Sequence, residues 1–397
     1  MEPYGDVSEG TGGERRGGLR QKATRYAVPV AVAGIAAATI GLVPALASAG
    51  DPDLPEITAR ELVEKIAASD TERLSGTVKI STDLGLPDVG ELLPEGATGG
   101  EGASAAPEAR LPELVLGSHT LKVAVDGPEK QKVIVDGDYS FVHNAGEVWA
   151  YDSTSKEAYH AQAPADRAAP DADEAPVTPK EFAEQALEAA GDTTSVSVDG
   201  TAQVAGRDAY QLLIEPKQAG STVGSIRIAV DAKEGVPLKF SLVPSTGGKA
   251  AVDVGFSKVD FSAPAASTFD FRPPKGAKVT EADELERSGG PGSGKPEAGE
   301  LPGGLGELLG PDGGKGRGDV EVLGSGWTSV AAIRSGEKVP AEADGLFGKL
   351  GDPVSGKFGS GTVFSTRLVN ALVTDDGDVY VGAVTKATLV KTAEEAH

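Results

Sequence analysis

The 397-residue chain contains no cysteine. That excludes a disulfide framework, a thiolate metal site, a cysteine nucleophile and an acylated lipobox cysteine. Aromatic residues make up only 5% of the chain, and asparagine occurs only at Asn144 and Asn370. The histidines are His119, His143, His160 and His397. None forms an i, i+4 pair on a helix-patterned stretch, and none accompanies a Gly-x-Ser-x-Gly elbow, so zinc-protease and serine-hydrolase arrangements are missing. Positive charge is also short: 37 Lys and Arg stand against 60 Asp and Glu, a net of −23. Such a surface repels nucleic-acid phosphates and anionic lipid heads, and it keeps an exported protein soluble. No nucleic-acid partner, cofactor, metal or catalytic activity is expected.

The N-terminal segment 1–49 ends its polar part in Arg15, Arg16, Arg20, Lys22 and Arg25, and then runs uncharged from Tyr26 to Ala49. Ala47-Ser48-Ala49 before Gly50 is a small-x-small cleavage signature, so the segment reads as an export signal. The uncharged run is also long enough to span a bilayer, and an uncleaved anchor is the alternative. In either case the basic end stays inside and the rest is exported, membrane-associated or extracellular. The bias toward Ala, Gly, Val and Asp resembles that of a high-GC, actinobacterial-type genome.

Residues 50–280 read as one α+β domain. Thr58-Ala-Arg-Glu61 is a capping box ahead of an apolar stripe at Leu62, Val63 and Ile66. A strand follows over Ser75–Thr82. Residues 84–117 are a low-complexity insertion, read as disordered or as a flap. Leu121–Tyr159 is a meander in which Asp136-Gly137 signals a hairpin, and Phe141 and Trp149 lie on its strands. An acidic loop at Asp166–Glu174 precedes a second capping box, Thr178-Pro179-Lys180-Glu181, and a helix ending at Gly191. Residues 281–318 are a Gly/Pro-rich linker. Residues 319–397 read as a small C-terminal α+β region, either a folded module or a loosely packed tail, with a last helix over about Lys386–Ala396.

The densest pattern lies at Ser225–Lys278. Ile226, Ile228 and Val230 alternate with Arg227, Ala229 and Asp231, which marks a strand with one apolar face. Beyond the Gly235 and Pro237 turn, Leu238, Phe240 and Leu242 repeat the alternation. Val252, Val254 and Phe256 repeat it again. Val259 and Phe261 then change parity, which predicts a bulge near Ser257–Lys258. Phe269 and Phe271 alternate as a further extended run up to Pro273-Pro274. Antiparallel strands with two amphipathic helices predict a curved half-barrel sheet with both helices on its concave face and an apolar cavity between them.

Asp231, Pro237, Leu238, Phe269, Phe271, Pro273, Pro274, Gly276 and Val279 occur in an order that resembles the outer-membrane lipoprotein-carrier (LolA-like) family. The same fold builds the N-terminal domain of the sigma-E regulatory protein. The resemblance extends over about Ile57–Val279 and implies a cavity that takes a lipid or an acylated protein. Its lining would come from Phe141, Trp149, Ile226, Ile228, Val230 and Leu238, together with Phe240, Leu242, Val252, Val254 and Phe256. The alternative it implies is an extracytoplasmic sensor or regulator that binds a membrane partner such as an anti-sigma factor. A monomer is expected. Gly351–Phe358 nearly spells a phosphate-binding loop, but Phe358 stands where a hydroxyl should hold magnesium.

Overall fold

The computed structural model describes residues 52–85, 117–162, 187, 190–282, 319–334 and 351–397. Segment 1–49, most of the 84–117 insertion, the acidic loop, the second capping box with most of the helix expected after it, and nearly all of the linker lie outside the described residues. Among the described residues no helix is long and apolar enough to cross a membrane.

The first unit starts with α1 (Ala59–Ala67), capped as its sequence demands. The Thr58 hydroxyl accepts from the Glu61 amide at 3.2 Å, and the Glu61 carboxylate accepts from the Thr58 amide at 2.8 Å. Then come β1 (Arg73–Thr82), β2 (Gly117–Asp126), β3 (Lys130–Val135), β4 (Tyr139–Asn144), β5 (Glu147–Asp152) and β6 (Glu157–Gln162). They are followed by β7 (Thr194–Val204), β8 (Arg207–Pro216), β9 (Val223–Asp231), β10 (Pro237–Pro244), β11 (Val252–Asp260) and β12 (Lys278–Glu281). All twelve form one open sheet in the order β12-β6-β5-β4-β3-β2-β1-β11-β10-β9-β8-β7. Its pairs are antiparallel except β12 with β6, which is parallel. The fold class is the α+β half-barrel type that the sequence predicts.

The tight turns carry the residues their geometry requires. Ala145-Gly146 and Ala205-Gly206 join neighbouring strands with φ of 51° and 89°, and 52° and 77°. These are the doubly left-handed turns that match strand twist. The predicted bulge is present: Thr77 pairs with Lys258 and Val78 with Phe256, which leaves Ser257 as the extra residue. A Cβ on Gly76 would lie 2.9 Å from the Phe256 ring and 2.5 Å from the Lys258 carbonyl, so glycine lets Phe256 lie flat across β1. The Phe269–Phe271 run is not a strand. Ala266–Phe269 is a single 3-10 turn that buries Phe269, because the prolines on either side deny a ladder its N–H donors.

The second unit is a six-stranded antiparallel sheet in the order β13-β14-β18-β17-β16-β15. Its strands are β13 (Asp319–Leu323), β14 (Val330–Arg334), β15 (Asp352–Gly356), β16 (Gly359–Ser365), β17 (Asn370–Thr374) and β18 (Val379–Gly382). The final helix, α2 (Lys386–Glu395), packs Leu389 and Ala393 against Val330, Val363, Leu372 and Tyr380. The near phosphate-binding loop is the β15–β16 hairpin, with Phe358 buried in that core.

This region is a folded module docked on the first sheet. Ser221 forms a bridge with Val384, Thr222 donates its amide to Ala383 at 3.0 Å, and Thr385 donates to the Gly220 carbonyl at 2.7 Å. Trp327 donates its indole N–H to the Thr194 hydroxyl at 2.8 Å. Arg367 reaches the Asp83 carboxylate at 2.8 Å.

Candidate functional site

Register decides which side chains share a face. Phe240 pairs with Ile228 on one side and with Val254 on the other; Leu242 pairs with Ile226 and with Val252. Ile228 pairs with Leu212, and Val254 with Ile80. Nine of the candidate lining residues, those on β9, β10 and β11, therefore lie on one face, as does Phe141. It is also the face that α1 covers, with Leu62 of α1 fully buried against Tyr210, Leu212 and Val230.

Trp149 is on the opposite face and does not belong to the lining. It pairs with Val142 on β4 and His160 on β6, whereas Phe141 pairs with Ala150. Its ring stacks on His160 with centroids 4.0 Å apart, and Phe271 lies 5.6 Å away. The segment after β11 thus crosses the outer face of β3–β6. There Lys132 donates to the Thr268 carbonyl and Asn144 to the Phe269 carbonyl.

Burial along the inner face is graded. Nearest the β9–β10 turn, where β10 shifts register between Pro237 and Lys239, Tyr210 and Val230 are buried against α1, and Leu238, Phe256 and Val78 are buried in the neighbouring cluster. In the next row, Leu212, Val254 and Ile80 are buried, but Ile228 and Phe240 are half-buried. In the third row, Ile214, Ile226, Leu242, Val252 and Thr82 are all half-buried. Along β8–β11 the face is closed near the β9–β10 turn and opens toward the end where the second unit docks. Thr82 in the open row has a hydroxyl oxygen buried without a partner.

The closed end is locked by charge. Asp231, with a side chain 1% exposed, takes both guanidinium arms of Arg207 and accepts the amides of Lys233 at 2.9 Å and Glu234 at 2.7 Å. Burial alone would raise its pKa, but the Arg207 hydrogen bonds and the two turn amides hold it below the usual carboxylate value. Arg207 also lies over the Phe261 ring at 4.5 Å.

A second charged cluster fastens the sheet's other edge. His160 contacts Glu281 of β12 at 2.7 Å and Glu147 of β5 at 2.5 Å. Burial opposes its charge, but hydrogen bonds to Glu147 and then to Glu281 prevail and raise its pKa above the usual histidine value. A raised histidine pKa adds stability that is complete below the unfolded value and is lost as pH rises through the folded one. The melting temperature of the wild type should therefore fall toward that of His160→Gln as pH is raised from below the ordinary histidine value into the alkaline range. Parallel melting curves across that range would exclude this clasp.

Sequence reasoning missed three features: the Arg207–Asp231 lock, the His160 clasp and the graded opening. Of the residues involved in the two charged clusters, only Asp231 carries a signal in the sequence, through its place before the turn.

No known family model matches the chain, and no curated protein matches it. Solved structures similar to it include the MucA/MucB complex of Pseudomonas aeruginosa, at 16% identity and a TM-score of 0.34, covering 84% of this chain and 96% of that one. An uncharacterized conserved protein from Thermus thermophilus is 12% identical with a TM-score of 0.30, covering 56% and 98%. The LolA superfamily protein NE2245 from Nitrosomonas europaea is 11% identical with a TM-score of 0.21, covering 54% and 99%. The fold assignment rests on the strand order and register described above.

Proposed function

We propose that this is an extracytoplasmic binding protein whose apolar inner face holds the acyl chain of a lipid or lipoprotein, without catalysis. The observation that carries the reading is the graded row structure. Here Ile226, Ile228, Phe240, Leu242 and Val252 keep partial access to solvent, and Val123, Val133, Val135 and Phe141 continue the half-buried strip across the same face. Each methylene laid against them would contribute about 0.8 kcal/mol. A chain entering at the open row would stop against the sealed Val230–Leu238 row.

The test is titration with a fluorescent long-chain fatty acid, alongside native mass spectrometry of the purified protein. Leu242→Asp puts a charge in the open row, at a site exposed enough for the fold to survive. It should weaken binding about tenfold or more. Wild-type protein that purifies empty and shows no saturable binding would overturn the proposal.

A second reading rests on the docked C-terminal unit. The same opening, rimmed by that unit, would take an apolar segment of a membrane partner such as an anti-sigma factor. Under this reading the protein acts as an exported regulator. Capture of a membrane protein that is lost with Leu242→Asp, with no acyl chain bound, would favour it.

A further inference from the structure

A cavity of about 430 Å³ lies on the outer face, between β1, β2, β3, β11 and the Ala266–Phe269 turn. It is on the side of the sheet opposite the apolar trough. Lys122, Lys132 and Lys258 line it, with the hydroxyl residues Ser75 and Thr77 and the apolar floor of Ala124 and Ile134. Register places Lys258 beside Thr77 and Lys122 beside Ile134. Lys132 is steered over the cavity by its bond to the Thr268 carbonyl at 2.9 Å.

The charge balance here runs against that of the chain. With 60 acidic residues against 37 basic ones, a surface lysine has carboxylates in excess to pair with. Three other lysines on this sheet are paired: Lys130 with Asp126 at 3.6 Å, Lys239 with Asp253 at 3.1 Å, and Lys278 with Glu157 at 3.1 Å. Among the described residues, neither Lys122 nor Lys258 has an ion pair, nor does Lys79 next along β1. The Ser75 and Thr77 hydroxyls have no hydrogen-bond partner there either. The single carboxylate in the lining, Asp260, accepts the Ser262 amide at 2.8 Å. Unpaired cations and free hydroxyls around an apolar floor are the elements of a small-ligand site, in which a few polar groups orient a largely apolar body.

We infer that this outer cavity binds a small amphipathic anion, its carboxylate or phosphate head held by Lys122 and Lys258 and its short apolar body resting on Ala124 and Ile134. Lysine serves either head as a point charge, so the head chemistry is common to both.

The experiment is calorimetric titration of the full chain with hexanoate and with hexyl phosphate at low salt. Saturable binding of at least one is expected, weakening as salt is raised. The double variant Lys122→Gln/Lys258→Gln changes two exposed side chains and should bind about tenfold more weakly. Leu242→Asp, on the other face, should bind these probes as the wild type does. That result separates this site from the acyl trough, so either can fail alone. Preference for hexyl phosphate would assign a phosphate head, and preference for hexanoate a carboxylate. The proposal is overturned if neither probe saturates, if the double variant binds as tightly as the wild type, or if Leu242→Asp abolishes binding.

Discussion

Asp231→Ala should lower the unfolding free energy by about 3 kcal/mol, the usual cost of removing one member of a buried pair. The carboxylate neutralises Arg207, and it accepts the Lys233 and Glu234 amides that shape the β9–β10 turn. Without it the guanidinium over Phe261 keeps only the more distant Glu234 carboxylate at 3.9 Å, and two turn amides lose their acceptor. Asp231→Asn keeps an acceptor oxygen and loses only the charge, so its loss should be smaller. The pH dependence has a definite sign. The folded pKa is depressed, so the stabilisation is present above the ordinary carboxylate pKa and disappears as pH falls through the folded value. The gap between the wild type and Asp231→Asn should therefore narrow in acid. Urea titrations at neutral pH and near pH 3 measure both effects. A gap that widens in acid would rule out the lock. Because Asp231 follows Val230 in the sealed row, its loss should also loosen the closed end of the trough.

Gly220→Val should separate the two units while leaving each folded. Gly220 has φ of +99°, which a β-branched residue adopts only under strain, and a Cβ there would lie 2.4 Å from the Thr388 hydroxyl oxygen. Backbone strain and overlap together cost about 3 kcal/mol. They fall on the carbonyl that accepts from Thr385 and beside the Thr222–Ala383 hydrogen bond. Limited proteolysis should then release a C-terminal fragment that stays intact, and small-angle scattering should show a larger radius of gyration. Adding Thr388→Ala removes the overlap but not the φ strain, so it should restore docking in part. Unchanged proteolysis in Gly220→Val would show that the Trp327 and Arg367 contacts suffice on their own.

Much of this was legible because period-two patterns are local. Ile226, Ile228 and Val230 declare their common face without reference to any other strand. The change of parity after Phe256 declares the Ser257 bulge. The Thr58 capping box declares α1, since both of its hydrogen bonds form within four residues. What the pattern omits is the relation between strands. Phe141 and Trp149 each sit on an alternating strand, and only the β4–β5 register shows that they face opposite ways. The parallel pairing that brings Glu281 to His160 joins residues 121 positions apart. The outer cavity was overlooked because Lys122, Lys132 and Lys258 look, one strand at a time, like a solvated face. The Arg367 and Trp327 contacts depend on how two sheets meet, which no alternation encodes.

The place of β1 in the sheet also bears on the order of assembly. It lies between β2 and β11, and the Ser257 hydroxyl that donates to the Thr77 carbonyl comes from 180 residues further along the chain. One flank of the earliest strand therefore waits for nearly the last strand of the sheet. Such distant pairing makes for slow folding, on the order of milliseconds to seconds. Until β11 arrives, β1 keeps an open ladder of amides and carbonyls, and during that interval the nascent sheet is most exposed to pairing with a neighbouring chain.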